Sequence, residues 1–186
     1  MSLVKSQLMK VGTIPPDFSL KSVDEKQYSL ADFDEKKGLL VLFTCNHCPY
    51  AIASWPIILE LSERYSNIQF IAINPNDAET YSEDSFENMK VLAKEFGLRF
   101  PYLIDETQEV AKAYNAQCTP DPYLFKWNPD AKSFELFYHG RVNDNWQKPE
   151  LVNENSLAEA MELLLSGNPP STAQNPSMGC SIKWKS

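Results

Sequence analysis

Leu39-Leu40-Val41-Leu42-Phe43-Thr44-Cys45-Asn46-His47-Cys48-Pro49-Tyr50 decides how the rest of this chain is read. Five apolar residues in a row, Leu39 to Phe43, predict a strand buried on both faces. A Cys-x-x-Cys follows at once. Pro49 stands where a first helical residue is expected, because a proline there gives up no hydrogen bond. The two cysteines are therefore expected at a strand-to-helix junction, with Cys45 at or near the N-cap. A helix start presents unpaired N–H groups and a partial positive charge. A thiolate held there is stabilised and becomes a nucleophile near neutral pH. Cys48 is one turn further on, so the pair is expected to open and close a disulfide, with Cys45 attacking and Cys48 resolving. An imidazolium at His47 would favour the thiolate further.

On the N-terminal side, Met1–Pro16 is polar and ends in Ile14-Pro15-Pro16, a loosely held lead-in by expectation. Asp17-Phe18-Ser19-Leu20 and Gln27-Tyr28-Ser29-Leu30 alternate in period two around a turn-like Ser22–Lys26, which predicts an N-terminal β-hairpin. Asp32–Gly38 is a charged connector. Beyond the cysteines, Ile52, Trp55 and Leu59, flanked by Ile58 and Leu61, mark the buried face of a helix. Pro56 cannot donate to the carbonyl of Ile52, so that helix should kink there, a helix broken in two being the less favoured alternative. Ile68–Asn74 is a second buried strand and Phe100–Ile104 a short one. Ser82–Phe96 is a helix with Phe86, Met89, Leu92 and Phe96 inward, ended by Gly97.

Asp105–Tyr114 is a further helix, opened by a capping box of Asp105 and Gln108. Tyr123–Trp127 and Ser133–Tyr138 read as an antiparallel hairpin. Ser156 and Glu159 form another capping box, before a helix that presents Leu157, Ala160, Met161, Leu164 and Leu165 and stops at Gly167. The order predicts an α/β fold: a central mixed β-sheet flanked by helices, with the cysteine junction at the carboxyl end of a central strand. Residues 1–167 read as one domain carrying the N-terminal hairpin. Residues 168–186, rich in Pro, Ser and Asn before Gly179-Cys180-Ser181-Ile182-Lys183-Trp184, read as a C-terminal extended tail packing on it.

Composition narrows the function. A net charge of −8 over 186 residues is not built to neutralise phosphates, which argues against nucleic acid. No apolar run approaches the ~20 residues of a membrane span. Met1–Gly12 has no continuous apolar stretch of the secretory kind, so a cytoplasmic location is expected. Four cysteines in a chain of this length do not make a disulfide scaffold.

Phe43-Thr44-Cys45-Asn46-His47-Cys48-Pro49, Cys118-Thr119-Pro120, Gly140-Arg141-Val142 and the Gly179–Trp184 tail together carry a resemblance. The chain resembles thioredoxin-fold redoxin-domain proteins of the alkyl hydroperoxide reductase/thiol-specific antioxidant, or peroxiredoxin-like, superfamily. The Cys-x-His-Cys centre is similar to those of oxidising relatives such as protein disulfide isomerases. The resemblance implies a thioredoxin-like fold in which Pro120 is a cis-proline packed against the Cys45–Cys48 pair. The backbone of Thr119 would then offer strand-like hydrogen bonds to a substrate chain.

It also implies a thiol–disulfide oxidoreductase with no cofactor. Its substrate would be a disulfide-bearing protein or small thiol, and its reducing partner a molecule such as thioredoxin or glutathione. Two alternatives remain open: a thioredoxin-dependent peroxidase, and a non-catalytic redox-sensing binding module. Thr44 stands where thioredoxins carry Trp, and Leu39–Phe43 lacks the buried acid that relays a proton for their second cysteine. The peroxiredoxin pattern Pro-x-x-x-Thr-x-x-Cys fits neither cysteine, since Val41 and Cys45 or Gly38 and Leu42 take its positions.

Further thiols and a cation complete the candidates. Cys118, two residues before Pro120, is a third redox thiol or a packing residue, with packing preferred. Cys180 is a resolving thiol on a tail anchored by Ile182 and Trp184, or an incidental one. Arg141 either lowers the pKa of the thiolate or pairs with a nearby acid such as Asp144, and the ion pair is preferred. A zinc site drawing on Cys45, His47 and Cys48 with Cys118, His139 or Cys180 lacks a second paired knuckle, so no metal is expected.

Overall fold

The computed structural model describes residues 3–33, 36–171 and 173–186. Met1 and Ser2 of the lead-in, Asp34 and Glu35 of the charged connector and Thr172 of the tail lie outside the described residues. The strands in chain order are β1 (Leu3–Lys5), β2 (Ser19–Ser22), β3 (Gln27–Ser29), β4 (Gly38–Phe43), β5 (Ile68–Asn74), β6 (Tyr102–Ile104), β7 (Cys118–Thr119), β8 (Asp121–Asn128), β9 (Ser133–His139) and β10 (Met178–Ser181). The α-helices are α1 (Pro49–Arg64), α2 (Phe86–Phe96), α3 (Glu109–Ala113) and α4 (Ser156–Ser166).

Seven strands form a mixed sheet in the order β3-β2-β6-β5-β4-β8-β9. Every residue of β4 is buried, and the strand pairs parallel with β5 and antiparallel with β8. Period-two alternation divides its side chains. Leu40 and Leu42 join Trp55 and Ile58 of α1, Met89 and Leu92 of α2, and Leu157, Met161 and Leu164 of α4 in one core. Leu39, Val41 and Phe43 join Val110 and Ala111 of α3, with Tyr114, Tyr123 and Phe125, in a second core on the opposite face. This is the α/β fold with a central mixed sheet flanked by helices, and β2 and β3 form the expected hairpin. No helix among the described residues is long and apolar enough to cross a membrane.

Several local expectations are corrected. The N-cap of α1 is Cys48 and not Cys45, with Pro49 as its first residue. At Pro56 the favoured reading of one continuous helix holds, since α1 runs through it without a break. Its buried stripe is Ala51, Ser54, Trp55, Ile58 and Leu61, so Ile52 is turned outward at 41% exposure. Ser82–Asp84 is a separate 3-10 turn, and Ser85 caps α2 by accepting from the Asn88 N–H.

Gln108 adopts a left-handed conformation and does not complete a capping box. Asp105 instead accepts from the Ala111 N–H at 2.7 Å, which leaves α3 with five residues. Asn155 and not Ser156 is the N-cap of α4. Gly97 and Gly167 stop their helices in the left-handed region, where a side chain is disfavoured.

The lead-in is not loose. β1 pairs antiparallel with β10, and β10 pairs antiparallel with β7, so both chain ends close into a small sheet of order β1-β10-β7. Ile182 is buried in the second core as expected, whereas Trp184 is 40% exposed, with Lys112 against its ring.

Candidate active site

β4 delivers Thr44 and Cys45 at its carboxyl end, and the chain then turns through Asn46 and His47 into α1. The Thr44 N–H still donates to the Ile73 carbonyl of β5 at 2.9 Å, so the strand register holds up to the first cysteine. Thr44 Oγ1 is buried and has no hydrogen-bond partner among the described residues. The second wall is the Thr119–Pro120 segment, whose peptide bond is cis. Cys45 Sγ lies 3.2 Å from Thr119 Oγ1, and Cys48 Sγ lies 3.4 Å from the Thr119 carbonyl oxygen. Cys45 and Cys48 thus both meet Thr119 beside the cis Thr119–Pro120 bond.

A hydrogen bond between the two thiols draws their acidities apart, lowering Cys48 and raising Cys45. At Cys48 that bond is the largest cause. It outweighs burial, and Cys180 and the backbone N–H groups of Ala51 and Cys180 add to it. Cys45 is held well above the ordinary thiol value by that same hydrogen bond to Cys48, then by burial and the charge of Asp84. Position acts in the same direction: Cys48 sits on the α1 N-terminus, while Cys45 lies three residues before it near the Asp84 carboxylate. Neither sulfur is open to solvent, since Cys45 is 1% and Cys48 0% exposed. The covering layer is the tail strand β10, which brings Cys180 Sγ to 2.6 Å from Cys48 Sγ.

Asp84 was not foreseen. It is fully buried and gathers four donors or donor-capable nitrogens: Asn46 N–H at 2.7 Å, Asn74 Nδ2 at 3.2 Å, Asn76 Nδ2 at 2.8 Å and His47 Nδ1 at 2.6 Å. His47 also stacks on Tyr81, with ring centroids 5.5 Å apart. Tyr102 Oη donates to Asn46 Oδ1 at 2.8 Å. The Cys45–Cys48 turn is therefore pinned to the end of β5 by an acid from a neighbouring turn and not from β4. Sequence offered no fixed spacing for it, because Ser82–Asp84 reads as the start of a longer helix.

The other candidates separate. Cys118 is buried beside β10 and pushed up by burial and by Asp121, as a packing thiol would be. Arg141 is engaged by Glu154, not Asp144, and its Nε donates to Ser156 Oγ at 3.3 Å. His139 is buried against Asp121, with Nε2 3.0 Å from Oδ1, and its Nδ1 accepts from the Met9 N–H. That placement dissolves the wider zinc set. Among the described residues, the ligand-type atoms that cluster within 4.8 Å are those of Cys45, His47 and Asp84. Both oxygens of that carboxylate already serve the nitrogens above. Beside α1, a cavity of about 330 Å³ is lined by Tyr50, Ser54, Pro120, Arg141, Trp146 and Met178.

Comparison with known proteins supplies the context. Residues 10–130 match the family described as Redoxin. An uncharacterized conserved protein from Geobacillus kaustophilus is 42% identical and superposes with a TM-score of 0.92 over 100% of this chain and 97% of that one. The thiol-disulfide oxidoreductase ResA of Geobacillus thermodenitrificans (strain NG80-2) is 27% identical over 124 residues, 66% of this chain and 67% of that protein. The chloroplastic peroxiredoxin Q of Triticum aestivum is 29% identical over 149 residues, 77% of this chain and 63% of that protein.

Proposed function

Since this chain belongs to the redoxin family, we propose that it is a thiol–disulfide oxidoreductase working through the Cys45/Cys48 pair, with Cys48 as the nucleophile. The observation that carries the reading is the Cys45/Cys48 pair at the strand-to-helix junction, with Thr119 Oγ1 3.2 Å from the Cys45 sulfur and the Thr119 carbonyl oxygen 3.4 Å from the Cys48 sulfur beside a cis peptide bond. A thiolate attacks a disulfide sulfur in line and forms a mixed disulfide, which a neighbouring thiol then resolves. Cys45 is one such neighbour. Asp84 and His47 hold the turn in place, and Thr119 fixes the orientation of the Cys45 sulfur. The relative named as a thiol-disulfide oxidoreductase supports the reaction class. The substrates are disulfide-bearing proteins or small disulfides. Thioredoxin or glutathione in the cytoplasm supplies reducing equivalents, in keeping with thiols that are not scaffold disulfides.

Reduction of insulin disulfides by the dithiol form tests the proposal. Cys48→Ser abolishes turnover and Cys118→Ser leaves it intact. Undiminished activity in Cys48→Ser refutes the reading. The similarity to peroxiredoxin Q favours a second reading, peroxide reduction by Cys48. Arg141 is engaged by Glu154 and contributes no cation to that thiolate, so peroxide consumption should run no faster than with an ordinary acidic thiol.

A further inference from the structure

Cys180 lies 132 residues beyond Cys48, yet its Sγ stands 2.6 Å away, and no step of the pair chemistry above uses it. We propose that Cys180 is a resolving thiol for Cys48, and that the tail strand bearing it occupies the edge of Thr119 that an extended substrate segment takes in alternation. The inference rests on the oxidoreductase reading.

Three features of the tail support it. The pairing is strand-like, with Cys180 opposite Thr119 and Ser181 opposite Cys118, so this chain fills the edge with its own backbone. The approach is close: a Cβ on Gly179 would stand 2.0 Å from the Thr119 carbonyl oxygen, so only glycine brings the next residue's sulfur in this near. The strand is also seated from both ends. Ser177 Oγ donates to the Pro120 carbonyl at 2.5 Å, and the Ile182 N–H donates to the Gln117 carbonyl at 3.1 Å. With β10 in place Cys48 meets no solvent. An incoming disulfide reaches it only when β10 lifts, and the returning strand brings Cys180 onto the mixed disulfide.

The electrons balance as follows. The Cys48 thiolate attacks a substrate disulfide R–S–S–R′, forms Cys48–S–S–R and expels R′–S⁻, which takes a proton from solvent. Cys180 then loses its proton to solvent, and its sulfur attacks Cys48 Sγ. The bond to R breaks, and R–S⁻ leaves and is protonated. The substrate disulfide has gained two electrons, and Cys48 and Cys180 have lost one each. In the return direction an incoming thiolate attacks Cys180, because Cys48, with its lower pKa, is the better leaving group.

Fully reduced full-length protein is treated with oxidised glutathione, alkylated, digested without reductant and mapped by mass spectrometry. The expected product is a peptide pair joined through Cys48 and Cys180, in the native chain and in Cys45→Ser. The Cys45→Ser/Cys180→Ser double variant is expected to lose this closure and stall with glutathione on Cys48. If the native chain joins only Cys45 to Cys48, and Cys45→Ser stalls as the glutathione adduct, the role of Cys180 is overturned while the oxidoreductase reading stands. If no thiol of the folded protein reacts, both fall.

Discussion

Cys48→Ser, measured under a phosphine reductant, should change how folding stability depends on pH. The folded protein lowers the Cys48 thiol from 9.0 to about 5, chiefly through the hydrogen bond from Cys45 and against the cost of burial. A group whose folded pKa is depressed adds stability that is fully present above its unfolded pKa. That stability is lost as pH falls through the folded pKa. The window is therefore about pH 5 to 9, with a slope of about 1.4 kcal/mol per pH unit. From pH 5 to 7 the native chain should gain on the order of 3 kcal/mol over the serine variant. Above pH 9 the sign reverses. Cys45 is raised in the folded state, so its ionisation in the unfolded chain erodes stability there. Urea unfolding of both proteins at several pH values reads the difference directly, and carboxylates common to the two cancel. A difference that stays flat across this window, or falls as pH rises within it, refutes the assignment of Cys48 as the thiolate.

Gly179→Ala should push β10 off the Thr119 edge, because the added Cβ has no room against that carbonyl. Cys48 in the reduced native protein should then be alkylated by iodoacetamide far faster than in the unsubstituted chain, and equal rates would show that β10 is not the cover. Asp84→Asn replaces an oxygen acceptor with an NH₂ facing either the Asn46 N–H and Asn74 Nδ2 or His47 Nδ1 and Asn76 Nδ2. A cost of about 2–4 kcal/mol in unfolding free energy is expected from the donors left unsatisfied. With its charge gone, Cys45 should also ionise at lower pH, visible as thiolate absorbance in Cys48→Ser/Asp84→Asn against Cys48→Ser alone.

The sheet was legible because its signals are local. A run such as Leu39–Phe43 can only be buried, Pro49 fits only a first turn, and Gly97 and Gly167 mark helix ends by backbone freedom alone. The meeting of Cys45 and Cys48 with Thr119 and Pro120 was legible only through the family resemblance, since no local signal marks a cis-proline. What escaped depends on chain segments distant in sequence. The order of acidity between the two cysteines follows from where α1 starts, and from a carboxylate 36 to 39 residues on, which no spacing announces. Gln108 looked like a capping residue because its side chain can cap. It is instead drawn to the Pro75 and Lys183 carbonyls and the Lys185 N–H of the C-terminal segment. The lead-in looked loose because Leu3–Lys5 has no pattern of its own, and it gains one only by pairing with β10.

That pairing has a practical edge. Leu3 lies opposite Cys180, and Lys5 opposite Met178. Leu3–Lys5 therefore forms the outer lath of a shutter whose inner lath carries the Cys180 sulfur. If that shutter swings as proposed, an affinity handle fused close to either lath would alter how often it does so. Rates collected on tagged and untagged material should be compared before any thiol is credited with them.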